Sequence, residues 1–140
     1  MFDFRTVGGA NFSYDVDFKE ANYANISFFD DTRISIPFHL SLRAERSLAV
    51  FNRRDGNQWQ DEEVVNVAFK PGLNRVELRF DPPQTTVLLN GAAIFRLTQN
   101  SCPDTETITC LTYQGAVLPA SVHLGGRGGS LGRDEAAVEA

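Results

Sequence analysis

Six residues between positions 39 and 62 have the types and spacing to hold a polyhydroxylated ligand. His39, Ser41 and Arg43 alternate with Leu40 and Leu42, so an extended chain turns the polar groups to one face and the leucines to the other. On that face an imidazole, a hydroxyl and a guanidinium follow one another at roughly 7 Å per two-residue step. Asn52 adds a carboxamide that both donates and accepts, and Glu62 a carboxylate that accepts. Trp59, the only tryptophan of the chain, offers a flat apolar plate with an N–H at its edge. A sugar ring asks for this combination, because its hydroxyls need donors and acceptors while its C–H patches need a plate.

The surrounding sequence must place these groups together. Residues 34–43 alternate almost without fault: Ile34, Ile36, Phe38, Leu40 and Leu42 on one side, Ser35, Pro37, His39, Ser41 and Arg43 on the other. Leu48 to Asn52 reads as a second strand, and Asp55-Gly56 as a hairpin turn that folds Trp59 and Glu62 back beside Asn52. Val64 to Phe69 alternates with Val65, Val67 and Phe69 inward, which puts Glu62 and Val64 on the polar side. Glu62 is also a candidate to orient Arg43.

This stretch resembles the galectins, the β-galactoside-binding lectins. Their motif is a His-x-Asn-x-Arg strand, then an Asn, then Trp-x-x-Glu-x-Arg; here stand His39-x-Ser41-x-Arg43, Asn52 and Trp59-x-x-Glu62-x-Val64. The interval from Asn52 to Trp59 is similar to the family's, and the likeness runs on through Phe69-Lys-Pro-Gly and Val87-Leu-Leu-Asn-Gly to Leu124. The resemblance implies that His39 and Arg43 grip the axial 4-hydroxyl of galactose, Asn52 and Glu62 the 6-hydroxyl, and that Trp59 stacks on the ring. Two positions depart. Ser41 is shorter than the family's Asn, and Val64 removes a guanidinium that helps to hold a second sugar and braces the glutamate. Altered or weakened disaccharide recognition is therefore expected. Arg53 and Arg54 are candidates to stand in for the missing guanidinium, although exposed loop arginines more often do nothing.

The rest of the chain reads as further short strands: Phe12–Phe18, Asn25–Phe29, Arg75–Phe80, a hairpin of type I′ around Asn90-Gly91, and a last pair, 108–113 and 117–124, around Gln114-Gly115. No helical stripe of any length intervenes. Many strands with turns at short spacing mean an all-β, two-sheet antiparallel sandwich of the galectin or concanavalin jelly-roll kind, with one outer face free to bind. The domain is expected over residues 1–124. From Gly125 the composition turns to glycine and charge, and residues 125–140 read as a flexible tail. An edge strand could pair with a second copy to give a homodimer.

With 140 residues and a net charge of −5, the chain is one acidic domain without the clustered basic residues that nucleic acid or an anionic membrane would need. It shows no transmembrane run and no signal-peptide pattern, so a soluble protein, cytoplasmic or exported by an unconventional route, is expected. Cys102 and Cys110 leave open a small-loop disulfide or two thiols. Asn11-Phe-Ser and Asn25-Ile-Ser match glycosylation sequons.

Catalysis finds little support. Glu62 and Glu63 are adjacent and point to opposite faces, so they cannot form a glycosidase pair. No nucleophile elbow, calcium loop, zinc set or phosphate loop is present in the sequence. The expectation is a metal-free and cofactor-free lectin for galactose-containing glycans, with His39, Ser41, Arg43, Asn52, Trp59 and Glu62 as its site. The alternative is a galectin-fold interaction or accessory module that has lost sugar binding.

Overall fold

The computed structural model describes residues 11–30, 32–81, 84–97, 108–126, 129–130 and 138–139. Among these the strands are β1 Asn11–Asp17, β2 Tyr23–Asp30, β3 Ile36–Arg43, β4 Leu48–Asp55, β5 Gln58–Trp59, β6 Glu63–Asn66, β7 Leu73–Asp81, β8 Gln84–Leu89, β9 Ala92–Leu97, β10 Ile108–Gly115, β11 His123–Gly126, β12 Gly129–Ser130 and β13 Val138–Glu139. One sheet runs β12-β11-β1-β7-β8-β9 and the other β13-β10-β2-β3-β4-β5, with β6 also paired to β4. Neighbours are antiparallel except β13, which runs parallel to β10. The only helical element among the described residues is a 3-10 turn at Pro119–Ser121. The two-sheet antiparallel sandwich expected from period-2 patterning is what forms.

Alternation explains the core. β1 sends Phe12, Tyr14 and Val16 inward, β3 Phe38, Leu40 and Leu42, and β7 Val76, Leu78 and Phe80, all essentially fully buried. Phe28 sits at the centre, with the rings of Phe12, Phe38 and Phe80 at 5.2, 5.6 and 5.6 Å, each meeting it edge to face. Such contacts add about 0.5–1.5 kcal/mol per pair beyond the area they bury. Val65, Val67 and Phe69 pack against this core from β6 and the segment after it, as their alternation predicts.

Two hairpins show why particular turn residues were needed. Asn90 and Gly91 both have positive φ, 52° and 86°, the signature of type I′. At the β4–β5 turn Asp55 pairs with Gln58, so the loop is Gly56-Asn57, one residue later than expected, with Gly56 at φ 57°.

Three expectations are corrected. Ile34 does not join the apolar face of β3: it lies before the strand and is 49 % exposed. Arg33 precedes it at φ 60°, and the β3–β4 register breaks between Ile36 and His39, around Pro37, which has no N–H to give to a ladder. Residues 108–113 and 117–124 do not pair with each other; β10 lies beside β2 and β11 beside β1, in opposite sheets. The chain crosses between them after Gly115, and the crossing is fastened to both sheets by Ala116 N–H to Tyr23 O at 2.8 Å and Leu118 N–H to Asp15 O at 2.9 Å. Glu62 and Trp59 also reach the polar face differently from a simple hairpin, as the site shows. Cys110 is buried on β10, while Cys102, the other half of the disulfide question, lies outside the described residues.

Candidate functional site

The outer face of the β2-β3-β4 sheet carries its side chains in rows set by register. Ser27, His39 and Asn52 form one row, and Asn25, Ser41, Val50 and Val64 the next. Tyr23, Arg43, Leu48 and Asn66 form a third. At the opposite end Arg54 faces Trp59. The positions 39, 41 and 43 therefore share a face as their spacing demands.

Trp59 and Glu62 are three residues apart, an odd interval that would put them on opposite faces of a regular strand. The structure resolves this with a bulge. β4 pairs Arg54 with Trp59 and Phe51 with Glu63, so Asn52 and Arg53 are opposed by three residues, Gln60, Asp61 and Glu62. The extra residue reverses the parity and brings Trp59, Glu62 and Val64 to the same side. Trp59 consequently stands beside Arg54 rather than Asn52, and Glu62 lies off the strands, in the segment facing Asn52.

His39, Ser41, Arg43, Asn52, Trp59 and Glu62, with Val50 and Gln60, line one open cavity of about 390 Å³. All six residues singled out in the sequence are thus brought together. Ser41 and Asn52 form its buried floor, whereas Trp59 is 47 % exposed at its wall. The Ser27 hydroxyl lies 2.6 Å from His39 Nδ1, which leaves Nε2 for the cavity. The His39 ring meets the indole of Trp59 edge to face, centroids 5.2 Å apart. Burial lowers the His39 pKa below its ordinary value, and the guanidinium groups of Arg43 and Arg54 push it the same way against an upward pull from Glu62.

Arg54 was not foreseen in the role it takes. Its Nε and Nη2 donate to Ile34 O at 3.0 and 2.7 Å, and its guanidinium carbon sits 5.5 Å from the Trp59 ring centroid. It props the plate and is not available at Val64; Arg53 leans to Asp55 at 4.0 Å. Ser27 was missed as well, although its parity with Asn25 on a strand flanking β3 marks it as a face residue. Arg43 donates from Nε to Ser41 Oγ at 3.3 Å, and the expected ion pair with Glu62 does not form among the described residues.

The model of the galactoside-binding lectins matches residues 9–124, most of the chain. The chain belongs to the galactoside-binding lectin family. This galectin domain is similar in fold to a Caenorhabditis elegans galectin (TM-score 0.69, 18 % identity, covering 89 % of this chain and 84 % of that one). It is likewise similar to chicken galectin 2 (0.67, 17 %, 84 % and 91 %) and to an ancestral congerin (0.67, 20 %, 88 % and 94 %). No curated protein matches by sequence. Galectins are lectins, not enzymes, and bind glycans. Among the described residues of this galectin, no helix is long and apolar enough to cross a membrane.

Proposed function

We propose that this galectin domain binds β-galactosides in the cavity over β3 and β4, without metal or cofactor and without catalysis. The observation that carries the reading is that His39, Ser41, Arg43, Asn52, Trp59 and Glu62 line a single cavity of about 390 Å³. That volume falls within the ~300–1,000 Å³ common for small-ligand sites. His39 Nε2 and the Arg43 guanidinium meet the axial 4-hydroxyl, Asn52 and Glu62 take the 6-hydroxyl, and the exposed Trp59 plate receives the C–H face. Ser41 acts differently from the longer amide of the family motif. Its hydroxyl already accepts from Arg43 Nε, so it steadies the guanidinium and reaches the sugar through water.

Charge-assisted hydrogen bonds contribute about 1.5–3 kcal/mol each, so loss of Arg43 should weaken binding at least about tenfold. The test is retention of the purified domain on a galactoside resin. Wild type should be retained and released by free galactose but not glucose, and Arg43→Ala should pass through. A wild-type protein that passes through unretained would favour the second reading, an interaction module without sugar binding. The half-exposed Val64, where the family motif has a guanidinium, is the observation on that side.

A further inference from the structure

We propose that the cavity continues beside Arg43 into an apolar subsite, built on Val50 and Val64, that takes an apolar aglycone on the anomeric oxygen of a β-galactoside. The inference rests on the galactoside reading above and names the second half of the ligand. Val50 and Val64 are direct cross-strand partners in the row that also holds Ser41. Val50 belongs to the cavity lining as a buried floor residue, 2 % exposed, so the open apolar surface is that of Val64, 53 % exposed on the same face. Leu48, half-buried, precedes Val50 by two residues on β4 and pairs with Arg43 on β3. Leu48 and Val50 on β4 and Val64 on β6 therefore lie together on the side of the site away from Trp59, with Val50 shared with the cavity.

The cations nearest in sequence are committed elsewhere. Arg54 is held at Ile34 O and Trp59, at the far end of β4, and Arg53 leans to Asp55. Arg43 turns its Nε to Ser41. The β3–β4 connection is confined to residues 44–47 and is tied down by Val67 N–H to Ser47 O at 2.9 Å, which leaves Val64 open. A glucose unit centred on Val64 would meet Arg43, Glu62 and Asn66 at its margins but would give up water from the hydroxyls that lie over the valine, which is unfavourable. An alkyl group placed here covers Val64 and gains in proportion to the apolar area removed from water.

The test is titration of Trp59 fluorescence with methyl β-galactoside, cyclohexyl β-galactoside and lactose, on wild type and on Val64→Thr. The cyclohexyl galactoside should bind about five- to tenfold tighter than the methyl one, from the apolar area it covers. Lactose should gain nothing over methyl β-galactoside. In Val64→Thr, an isosteric polar change at an exposed site, the cyclohexyl-to-methyl affinity ratio should fall towards one. Equal binding of methyl and cyclohexyl galactosides, lactose binding tightest, or a ratio unmoved by Val64→Thr would each overturn the apolar subsite while leaving the galactoside reading intact. Absence of any response to methyl β-galactoside would overturn the galactoside reading itself, and the subsite with it.

Discussion

His39 is the residue on which geometry and protonation meet. Ser27 holds one ring nitrogen, Trp59 stands against the ring, and burial together with the Arg43 and Arg54 charges favours the neutral imidazole. The folded pKa lies below the ordinary 6.5. Under linkage the unfolded chain then takes up the proton first, so the stability His39 contributes is complete above about pH 6.5 and is lost as pH falls below it. Urea unfolding of wild type and His39→Gln at pH 7.5 and 5.5 should show the wild type losing more stability on acidification; an equal loss would remove His39 from the pH response. Arg54 lies against the indole, so on the galactoside reading it acts through the plate. A cation over an aromatic face contributes about 0.5–2 kcal/mol, so Arg54→Ala should weaken galactoside binding about two- to thirtyfold and alter the Trp59 emission before any sugar is added. An unchanged ligand-free spectrum would argue against this propping. At this scale parity exposed His39, Ser41 and Arg43 in the sequence, because period 2 is a local property. Ser27 and Arg54 were hidden: their roles depend on which strands lie beside β3 and β5, which spacing does not encode.

The β5–β6 bulge is the element that makes a site from two strands of conflicting parity. Deleting Asp61 should restore a regular register and turn either Trp59 or Glu62 away from the cavity. The expected outcome is a folded domain with galactoside binding reduced by at least about tenfold, the cost of one charged hydrogen bond. Full binding by the deletion variant would show that the bulge is dispensable. A second element-scale constraint lies at Gly115, where β10 ends at φ 79° and an added Cβ would stand 2.3 Å from Tyr23 O. Strain of this kind and a backbone clash together predict that Gly115→Ala costs about 3 kcal/mol or more in denaturant unfolding. The strands themselves were legible from alternation and turn residues. The crossing after Gly115 was not, since Gln114-Gly115 reads locally as a hairpin and only the hydrogen bonds to β1 and β2 divert the chain to the other sheet. Ile34 misled for a similar reason: its alternation continues past the point where Arg33 and Pro37 interrupt the strand.

For the molecule as a whole, the sandwich is a rigid support whose inner face is apolar and whose outer face is free to carry polar groups. The same strand, β3, buries Phe38, Leu40 and Leu42 while presenting His39, Ser41 and Arg43, so core packing and site geometry are coupled through one backbone. Phe28→Ala, at the centre of the aromatic cluster, should cost about 3–5 kcal/mol of stability. The fold class was legible because many short alternating segments admit few other architectures. The order of strands within each sheet was not, because pairings such as β10 with β2 join residues far apart in the chain. The central claim is that this face distinguishes the axial 4-hydroxyl of galactose. It is tested most directly by titrating Trp59 fluorescence with methyl β-galactoside and with its C4 epimer, methyl β-glucoside. A saturable change with the galactoside alone, abolished in Arg43→Ala, is the predicted result. Equal responses to both epimers, or none to either while the β-sheet signal stays intact, would contradict it.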